Sequence, residues 1–233
     1  ADFLHLRAGV GDVSWRAPVT EPSALKAADT PEALATMLDE ASTLAGGAVP
    51  LDLSGGGVVG IVGDRAAALA VARSLVCQAA ALHGPADLPV MVLAGVEAAP
   101  AWDWAKWLPH TRDATGAGRL LSHHPELSTA MVEARLKAAG PRDRFERSPS
   151  GGRLVGPTLL VVVDDESLTE GRRAPTRNLL RGDAGLVAGV VVASTADRLP
   201  AVCSAVVEIT DAGGVADLVL PQAGTHIREI APA

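Results

Sequence analysis

The chain has few aromatic residues and no tyrosine. Aromatic side chains make up 3% of its 233 residues, with four tryptophans and two phenylalanines. Cysteine is equally scarce, since Cys77 and Cys203 are the only two in the sequence. Two cysteines in a chain of this length do not make a disulfide framework. The sequence therefore predicts a reduced, cytosolic protein.

Long apolar runs and an excess of basic charge are also missing. No run reaches the roughly 18 apolar residues that would span a bilayer, and residues 1–5 lack the basic start of a secretion signal. Any membrane attachment is therefore expected outside this chain. The net charge of −7 argues against direct nucleic-acid binding, because phosphate contacts need a basic surface. With 48% hydrophobic residues, the chain can bury the core of one large domain.

Several short runs of β-branched residues predict strands that are buried on both faces. These runs are continuously apolar rather than alternating, which is typical of parallel strands covered on both sides. They lie at 58–62, 90–94, 159–163, 187–193 and 205–209. Two helices are predicted between them, at 65–83, which Gly84-Pro85 ends, and at 125–139, which opens on a proline.

Strands that alternate with helices predict an α/β fold with three layers. Right-handed crossovers would make the central sheet mostly parallel, with ligands beyond the carboxyl ends of its strands. A strand at 3–7 and a helix from about 30 to 44, ended by Gly46-Gly47, suggest an N-terminal extension. We expect residues 1–48 to form this extension, with the strand at an edge, packed on a core of residues 49–233. Loops at 141–156 and 166–174 are expected to be mobile.

The turn after the strand at 58–62 is placed like a phosphate-binding loop. That loop reads Gly-x-x-x-x-Gly-Lys-Ser/Thr, and its lysine and hydroxyl hold the phosphates and Mg²⁺. Here Ala66 and Ala67 stand in their places. Asp64 is expected to cap the following helix and to repel a phosphate. The sequence therefore predicts a degenerate nucleotide loop, made of Gly60, Gly63, Asp64, Arg65, Ala66 and Ala67.

Two acids end the apolar strand at 159–163. In P-loop hydrolases such a segment positions Mg²⁺ and the attacking water, so Asp164 and Asp165 are predicted to be vestigial catalytic residues. A simpler interpretation is that these acids are solvated or cap the next helix. Another is that they still work, with Arg65 or a partner's arginine replacing the missing lysine. No cofactor is expected on the first interpretation, and ATP with Mg²⁺ on the last.

Two further ligand patterns are weaker. Residues 55–60 match the dinucleotide pattern Gly-x-Gly-x-x-Gly, but they precede a strand instead of following one. His123 and His124 have no cysteine or carboxylate nearby at the spacing of metal ligands. We therefore predict neither a dinucleotide site nor a metal site.

Tryptophan and arginine supply the candidate interfaces. Three of the four tryptophans fall within residues 100–110; in a helix, Trp104 and Trp107 would share a face and Trp102 would point elsewhere. The segment is either a local core or an interaction surface. Four arginines cluster at 172–181, two of them on one face of a predicted helix that starts at Pro175. The candidate interface residues are Trp102, Trp104, Trp107, His110, Arg177 and Arg181.

Several segments resemble the FtsK/SpoIIIE family. The most specific is Trp-Asp-Trp-Ala-Lys-Trp-Leu-Pro-His at 102–110, joined by segments at 2–11, 57–73, 82–88, 163–165 and 197–203, so that the resemblance covers most of the chain. More narrowly, the chain resembles the divergent, membrane-proximal ATPase-like domain of EccC-type type VII secretion ATPases of actinobacteria. The resemblance implies a P-loop NTPase-like (RecA/FtsK-like) fold. It also implies a hexameric, membrane-anchored motor on the cytoplasmic side of the cell membrane.

The function expected from the residues and the resemblance together is that of a structural or regulatory coupler with weak or no ATP hydrolysis. Its partners would be other domains of the same polypeptide and neighbouring protomers, without direct nucleic-acid contact. The alternative is an ATP-binding and ATP-hydrolysing domain of a DNA or protein translocase. Whether the domain is itself an enzyme stays open at this point.

Overall fold

The computed structural model describes residues 3–15, 32–113, 115–139, 157–182, 186–211 and 214–233. The strands are β1 His5–Ser14, β2 Thr43–Asp52, β3 Val58–Val62, β4 Val90–Ala94, β5 Leu121–Ser122, β6 Leu159–Asp164, β7 Val187–Ala193, β8 Ala205–Ile209, β9 Ala216–Leu220 and β10 Thr225–Pro232. The α-helices are α1 Glu32–Glu40, α2 Arg65–Leu82, α3 Ala99–Trp102, α4 Pro125–Ala139 and α5 Pro175–Leu180. Short 3₁₀ helices lie at Asp103–Trp107, Pro109–Thr111, Glu166–Thr169 and Ala196–Arg198.

All ten strands join one sheet in the order β2-β1-β10-β9-β8-β3-β7-β6-β4-β5. The half from β8 to β5 is parallel, and the half from β9 to β2 is built from antiparallel pairs. Every residue of β3, β4, β6 and β7 is buried, which explains their unbroken apolar sequences. The predicted α/β fold of the P-loop NTPase type, with a mostly parallel sheet, is confirmed.

Helices cover both faces of the sheet. On one face, α2 buries a stripe of small and branched side chains against β1, β3 and β7. That stripe consists of Ala68, Val71, Ala72, Leu75, Val76 and Ala79. On the other face, Val132 of α4 and Leu179 and Leu180 of α5 pack with alternate residues of β4 and β6. The sheet and the helices packed on its two faces therefore form the three predicted layers.

The central elements follow their predicted bounds closely. Strands β3, β4, β7 and β8 have the predicted limits, and β6 is one residue longer. Helix α2 ends at Leu82, one residue earlier than predicted, and α4 covers the predicted 125–139. Their sequence patterns follow directly from burial: the central strands are buried throughout, and α2 buries one stripe against the sheet.

The N-terminal predictions were wrong in three respects. The first strand runs to Ser14 and lies between β2 and β10 instead of at the edge. Helix α1 ends at Glu40, and the segment predicted as its last turn begins β2. Gly46, with φ 63°, and Gly47 lie inside that strand instead of ending a helix. Antiparallel pairing with β1 at eight positions overrides the helix propensity of this segment.

Two further predictions concern boundaries and loops. The expected domain boundary at residue 48 falls within β2, and the division of the chain into two units stays a prediction. The loop expected at 141–156 lies outside the described residues. The loop expected at 166–174 is anchored in its first half, because Leu168 and Thr169 are buried in a 3₁₀ helix.

By length and composition alone, α2 is apolar enough to cross a membrane. Core helices of soluble proteins pass the same test, and the buried stripe of α2 packs on the sheet. The helix is therefore accounted for by its place in the fold.

The two thiols differ in burial and should differ in reactivity. Burial raises the pKa of the Cys203 thiol to about 12, whereas Cys77 is exposed. Because the thiolate is the nucleophile, iodoacetamide at pH 8 is expected to modify Cys77 and to spare Cys203 until urea unfolds the chain. Peptide mass spectrometry measures both sites, and equal labelling of the two in the folded protein would contradict the structure.

Candidate functional site

The connection between β3 and α2 consists of only Gly63 and Asp64. Gly63 has φ 115°, and a Cβ there would lie 2.6 Å from the carbonyl oxygen of Ile209, so glycine is required. Asp64 caps the helix as predicted, because its Oδ1 accepts a hydrogen bond from the Ala67 amide at 3.0 Å. The first helical amides are thus partly satisfied by the chain's own carboxylate.

The other residues of the predicted nucleotide loop lie in the flanking elements. Gly60 is inside β3, where a Cβ would collide with the side chain of Leu199, so its small size serves packing. Ala66 and Ala67 form the first turn of α2 together with Arg65. The two alanines offer neither a cation nor a hydroxyl at this position.

Arg65 and Asp164 form a bidentate ion pair at the centre of the site. Asp164 ends β6 and is 5% exposed. Its two carboxylate oxygens accept hydrogen bonds from Nη1 and Nη2 of Arg65 at 2.5 and 2.7 Å. Trp102 donates a third from its Nε1 at 2.7 Å. The hydrogen bond to Asp164 raises the pKa of Arg65, so the arginine stays charged and the carboxylate keeps an internal counterion.

The carboxylates of Asp165 and Glu166 also accept hydrogen bonds from neighbouring groups. Asp165 Oδ1 accepts hydrogen bonds from the amide of Ser167 at 3.0 Å and from its hydroxyl at 2.7 Å, so it caps the 3₁₀ helix Glu166–Thr169. Glu166 accepts from the Ser194 amide at 2.6 Å, and this backbone hydrogen bond lowers the pKa of Glu166. For Asp165, the structure therefore supports the helix-capping interpretation.

These groups line an open cleft of about 670 Å³. The cleft lies beyond the carboxyl ends of the parallel strands, where α/β proteins usually bind ligands. Its charged lining consists of the guanidinium of Arg65 and the carboxylates of Glu97, Asp164, Asp165 and Glu166. Among the described residues, no group of three histidine, cysteine or acidic side chains is arranged to hold a metal ion. The cleft therefore has an excess of negative charge.

We call residues 99–111 the tryptophan segment. It is not one continuous helix, because α3 ends at Trp102 and two 3₁₀ helices follow. Trp102 is fully buried, and Trp104 stacks on it at 6.2 Å between ring centroids. Trp107 is 79% exposed, with the Lys106 ammonium over its ring. The shared face of Trp104 and Trp107 was expected for a helix; in this broken segment Trp104 packs on Trp102, whereas Trp107 is exposed to solvent.

Burial also decides which candidate interface residues are accessible. Trp102 lies in the core, and His110 is 5% exposed with its Nε2 donating to the His83 carbonyl oxygen at 2.8 Å. Neither side chain can meet a partner of the folded chain, so the interface prediction is corrected for both. Trp104 is half-buried, and Trp107 remains an accessible candidate.

The two arginines proposed as an interface differ in exposure. Helix α5 ends at Leu180, and Arg181 follows it as an exposed capping residue. Arg177 is half-buried, and its Nε donates a hydrogen bond to the Thr169 carbonyl oxygen. Arg177 therefore fixes the 3₁₀ helix beside the cleft, and Arg181 alone of the pair stays on the surface.

Sequence reasoning named Arg65 but missed the bond from Trp102 to Asp164. A buried indole usually needs a hydrogen-bond acceptor, so the general rule was available. The partner lies 62 residues away in the chain, and no local pattern identifies it. The contacts of His83, which bonds to Leu4, to Ala79 of α2 and to His110, were not predicted either.

The chain is similar in sequence to EccC proteins of ESX secretion systems. No protein-family model matches it. The chain is 33% identical over 173 residues to an ESX secretion system protein EccC of Thermomonospora curvata, covering 70% of this chain and 13% of that protein. It is 31% identical over 179 residues to the ESX-3 secretion system protein EccC3 of Mycobacterium tuberculosis, again covering 70% of this chain and 13% of the relative. The chain thus spans about an eighth of these relatives.

Solved structures show the same fold at low sequence identity. EssC (ATPases 2 and 3) from Geobacillus thermodenitrificans aligns with a TM-score of 0.60 and 12% identity, covering 98% of this chain and 44% of that one. The cytoplasmic domain of the type VII secretion ATPase EccC of T. curvata aligns with a TM-score of 0.59 and 13% identity. That second alignment covers 81% of this chain and 25% of the solved one.

The turn at Gly63 can be tested against a matched glycine. Gly171 also has a positive φ, of 83°, but has open space where a Cβ would lie. We expect Gly63→Ala to lower the free energy of unfolding by roughly 3 kcal/mol and Gly171→Ala by about 1 kcal/mol. The difference reflects the collision with the backbone of Ile209. Urea unfolding measures both, and equal losses would contradict the tight turn.

The hydrogen bond to Glu166 predicts a pH-dependent stability. Because folding lowers the pKa of this carboxyl, its contribution is present above the unfolded pKa and disappears as the pH falls through the folded value. Glu166→Gln should therefore be less stable than wild type, by up to about 1 kcal/mol, above roughly pH 5. The gap should close toward about pH 3. Urea unfolding across this range would refute the assignment if the gap were constant.

Proposed function

Since the homologues of this chain are EccC/EssC type VII secretion ATPases, we propose that it is an ATPase-like module that neither binds nor hydrolyses ATP strongly. Its role in this proposal is structural or regulatory, within a larger motor. The observation that carries the proposal is the ion pair between Arg65 and Asp164. A carboxylate that would help to position Mg²⁺ is already neutralised by the protein itself.

Phosphoryl transfer gives the physical reason. Its catalysis rests almost wholly on positioning and on stabilising charge at the transferred phosphate. In this chain, the lysine and hydroxyl positions are Ala66 and Ala67, and Asp64 holds the helix N-terminus. Asp165 is engaged with Ser167. The donor set therefore does not fit MgATP.

The charge of the cleft supports the same conclusion. Among the described residues, four carboxylates and one guanidinium line it, so a triphosphate would meet charge mostly of its own sign there. The Arg65 guanidinium is the cation of that lining, and both of its terminal nitrogens bind Asp164. An anion would have to break this pair before it gained a contact.

The partners in this proposal are other domains of the same polypeptide and neighbouring protomers, on the cytoplasmic side of the membrane. The share of the relatives that this chain spans, 13%, supports a module that works beside other domains. The ten-stranded sheet supplies a rigid body. Trp107 and Arg181 supply exposed side chains of kinds that are common at interfaces.

One observation favours the alternative of a working ATPase. The Arg65 side chain is 52% exposed and lines the cleft, so it has room to turn toward a phosphate. In that case Asp164 would be released for Mg²⁺, and Asp165 would lie near the attacking water. Hydrolysis by the wild-type chain that Asp165→Asn abolishes would favour this alternative.

Nucleotide binding tests the proposal directly. At 5 mM MgATP we expect no saturable heat in isothermal titration calorimetry and no rise in the midpoint of thermal unfolding. A ligand present at about 100 times its Kd would add about 2.7 kcal/mol to the free energy of unfolding, which such melts detect readily. Magnesium chloride without nucleotide is the control. A saturable isotherm with a matching rise in melting temperature would overturn the proposal.

A further inference from the structure

Helix α2 is connected to the tryptophan segment at both of its ends, through Asp164 at the start and directly at the C-cap residue His83. At its start, Arg65 holds Asp164, which also accepts the indole N–H of Trp102. At its end, the carbonyl oxygen of His83 accepts a hydrogen bond from His110. Trp102 and His110 are both buried, whereas the Arg65 side chain is 52% exposed. Because α2 has 18 residues, the two contacts lie about 27 Å apart along the helix.

His83 also joins this pair of elements to the start of β1. Its Nδ1 lies 2.9 Å from the Ala79 carbonyl oxygen and must donate, because a carbonyl oxygen only accepts. The bare Nε2 then accepts the amide of Leu4 at 3.0 Å. The Phe3 ring packs edge-on against the imidazole at 4.6 Å. One side chain thus ties the entry of β1 to the end of α2.

The residue held by His83 is strained. Leu4 is fully buried and has φ 53°, a left-handed conformation that is unfavourable for a residue with a side chain. Two hydrogen bonds hold it, one from its own amide to His83 and one to its carbonyl oxygen from Leu53 at 3.0 Å. Loss of the first bond would remove one of the two hydrogen bonds that hold the turn in this conformation.

A second contact aligns β1 with α2. The Gln78 amide group accepts a hydrogen bond from the Arg7 amide at 2.9 Å and donates one to the Arg7 carbonyl oxygen at 3.1 Å. Residues 4 and 7 of the chain are thus fixed to the last turns of α2. A displacement of the chain that enters β1 acts on the helix through both contacts.

We propose that these contacts form a conformational relay, which runs from the turn at Leu4 through His83 and α2 to Asp164. His83 and His110 are positioning residues in it, because they clamp the far end of the tryptophan segment whose near end holds Asp164. A pull on the chain before β1 that breaks the Leu4 hydrogen bond frees the end of α2 and loosens the hold on Asp164. This inference does not depend on whether the cleft binds nucleotide.

Exchange of the Trp102 indole N–H tests the relay in the intact chain. Its resonance, assigned with Trp102→Phe, reports how often the hydrogen bond to Asp164 opens. We expect His110→Leu to speed this exchange about tenfold, while the amides of Val207 and Leu218, across the sheet, change less than about twofold. His110→Gln should restore the wild-type rate to within about threefold, because its amide can donate to the His83 carbonyl oxygen.

The matched control is Leu82→Ala, which removes an exposed side chain beside His83 and no hydrogen bond; it should leave the indole rate unchanged.

The reverse arm uses Arg65→Lys, which keeps His110 intact. Because the relay connects the two ends of α2, weakening the pair with Asp164 should also speed exchange of the Leu4 amide, by roughly tenfold. The relay is overturned if, in His110→Leu, the exchange rate of the indole rises no more than the exchange rates of the Val207 and Leu218 amides. It is also overturned if Arg65→Lys leaves the Leu4 amide unchanged.

Discussion

A buried carboxylate that must have a counterion sets the organisation of this domain. Asp164 ends the central strand β6 and is almost fully removed from water, where an unpaired charge is very costly. Arg65 supplies the counterion from the first turn of α2. This pairing requires the short turn at Gly63, which starts the helix two residues after β3. The same carboxylate orients Trp102 and so anchors the tryptophan segment.

The site thus keeps the scaffold of its homologues while its polar groups bind one another. Asp64 binds the helix that follows it, Asp165 binds Ser167, and Glu166 binds the amide of Ser194. Each contact is common in proteins and stabilises the fold. Together they engage groups that a triphosphate and its metal ion would need. We propose that a domain built this way transmits position and does not hydrolyse ATP.

The sequence predicted the elements whose patterns are set locally. The strands at 58–62 and 90–94 were predicted from unbroken apolar runs, and the cap at Asp64 from its place before a helix. Of the antiparallel half of the sheet, only a strand at 3–7 was predicted; β2 was not, because it is defined by pairing with β1 about 40 residues away. The bond between Trp102 and Asp164 is non-local in the same way. Local propensity carries no information about such partners.

The account depends on Arg65 binding and neutralising both carboxylate oxygens of Asp164. A crystal structure determined after soaking with magnesium and a non-hydrolysable ATP analogue tests it most directly. The account predicts that Arg65 still binds both oxygens of Asp164 and that no ordered nucleotide lies against residues 60–67. A triphosphate ordered there, with Arg65 turned away and magnesium beside Asp164, would contradict it.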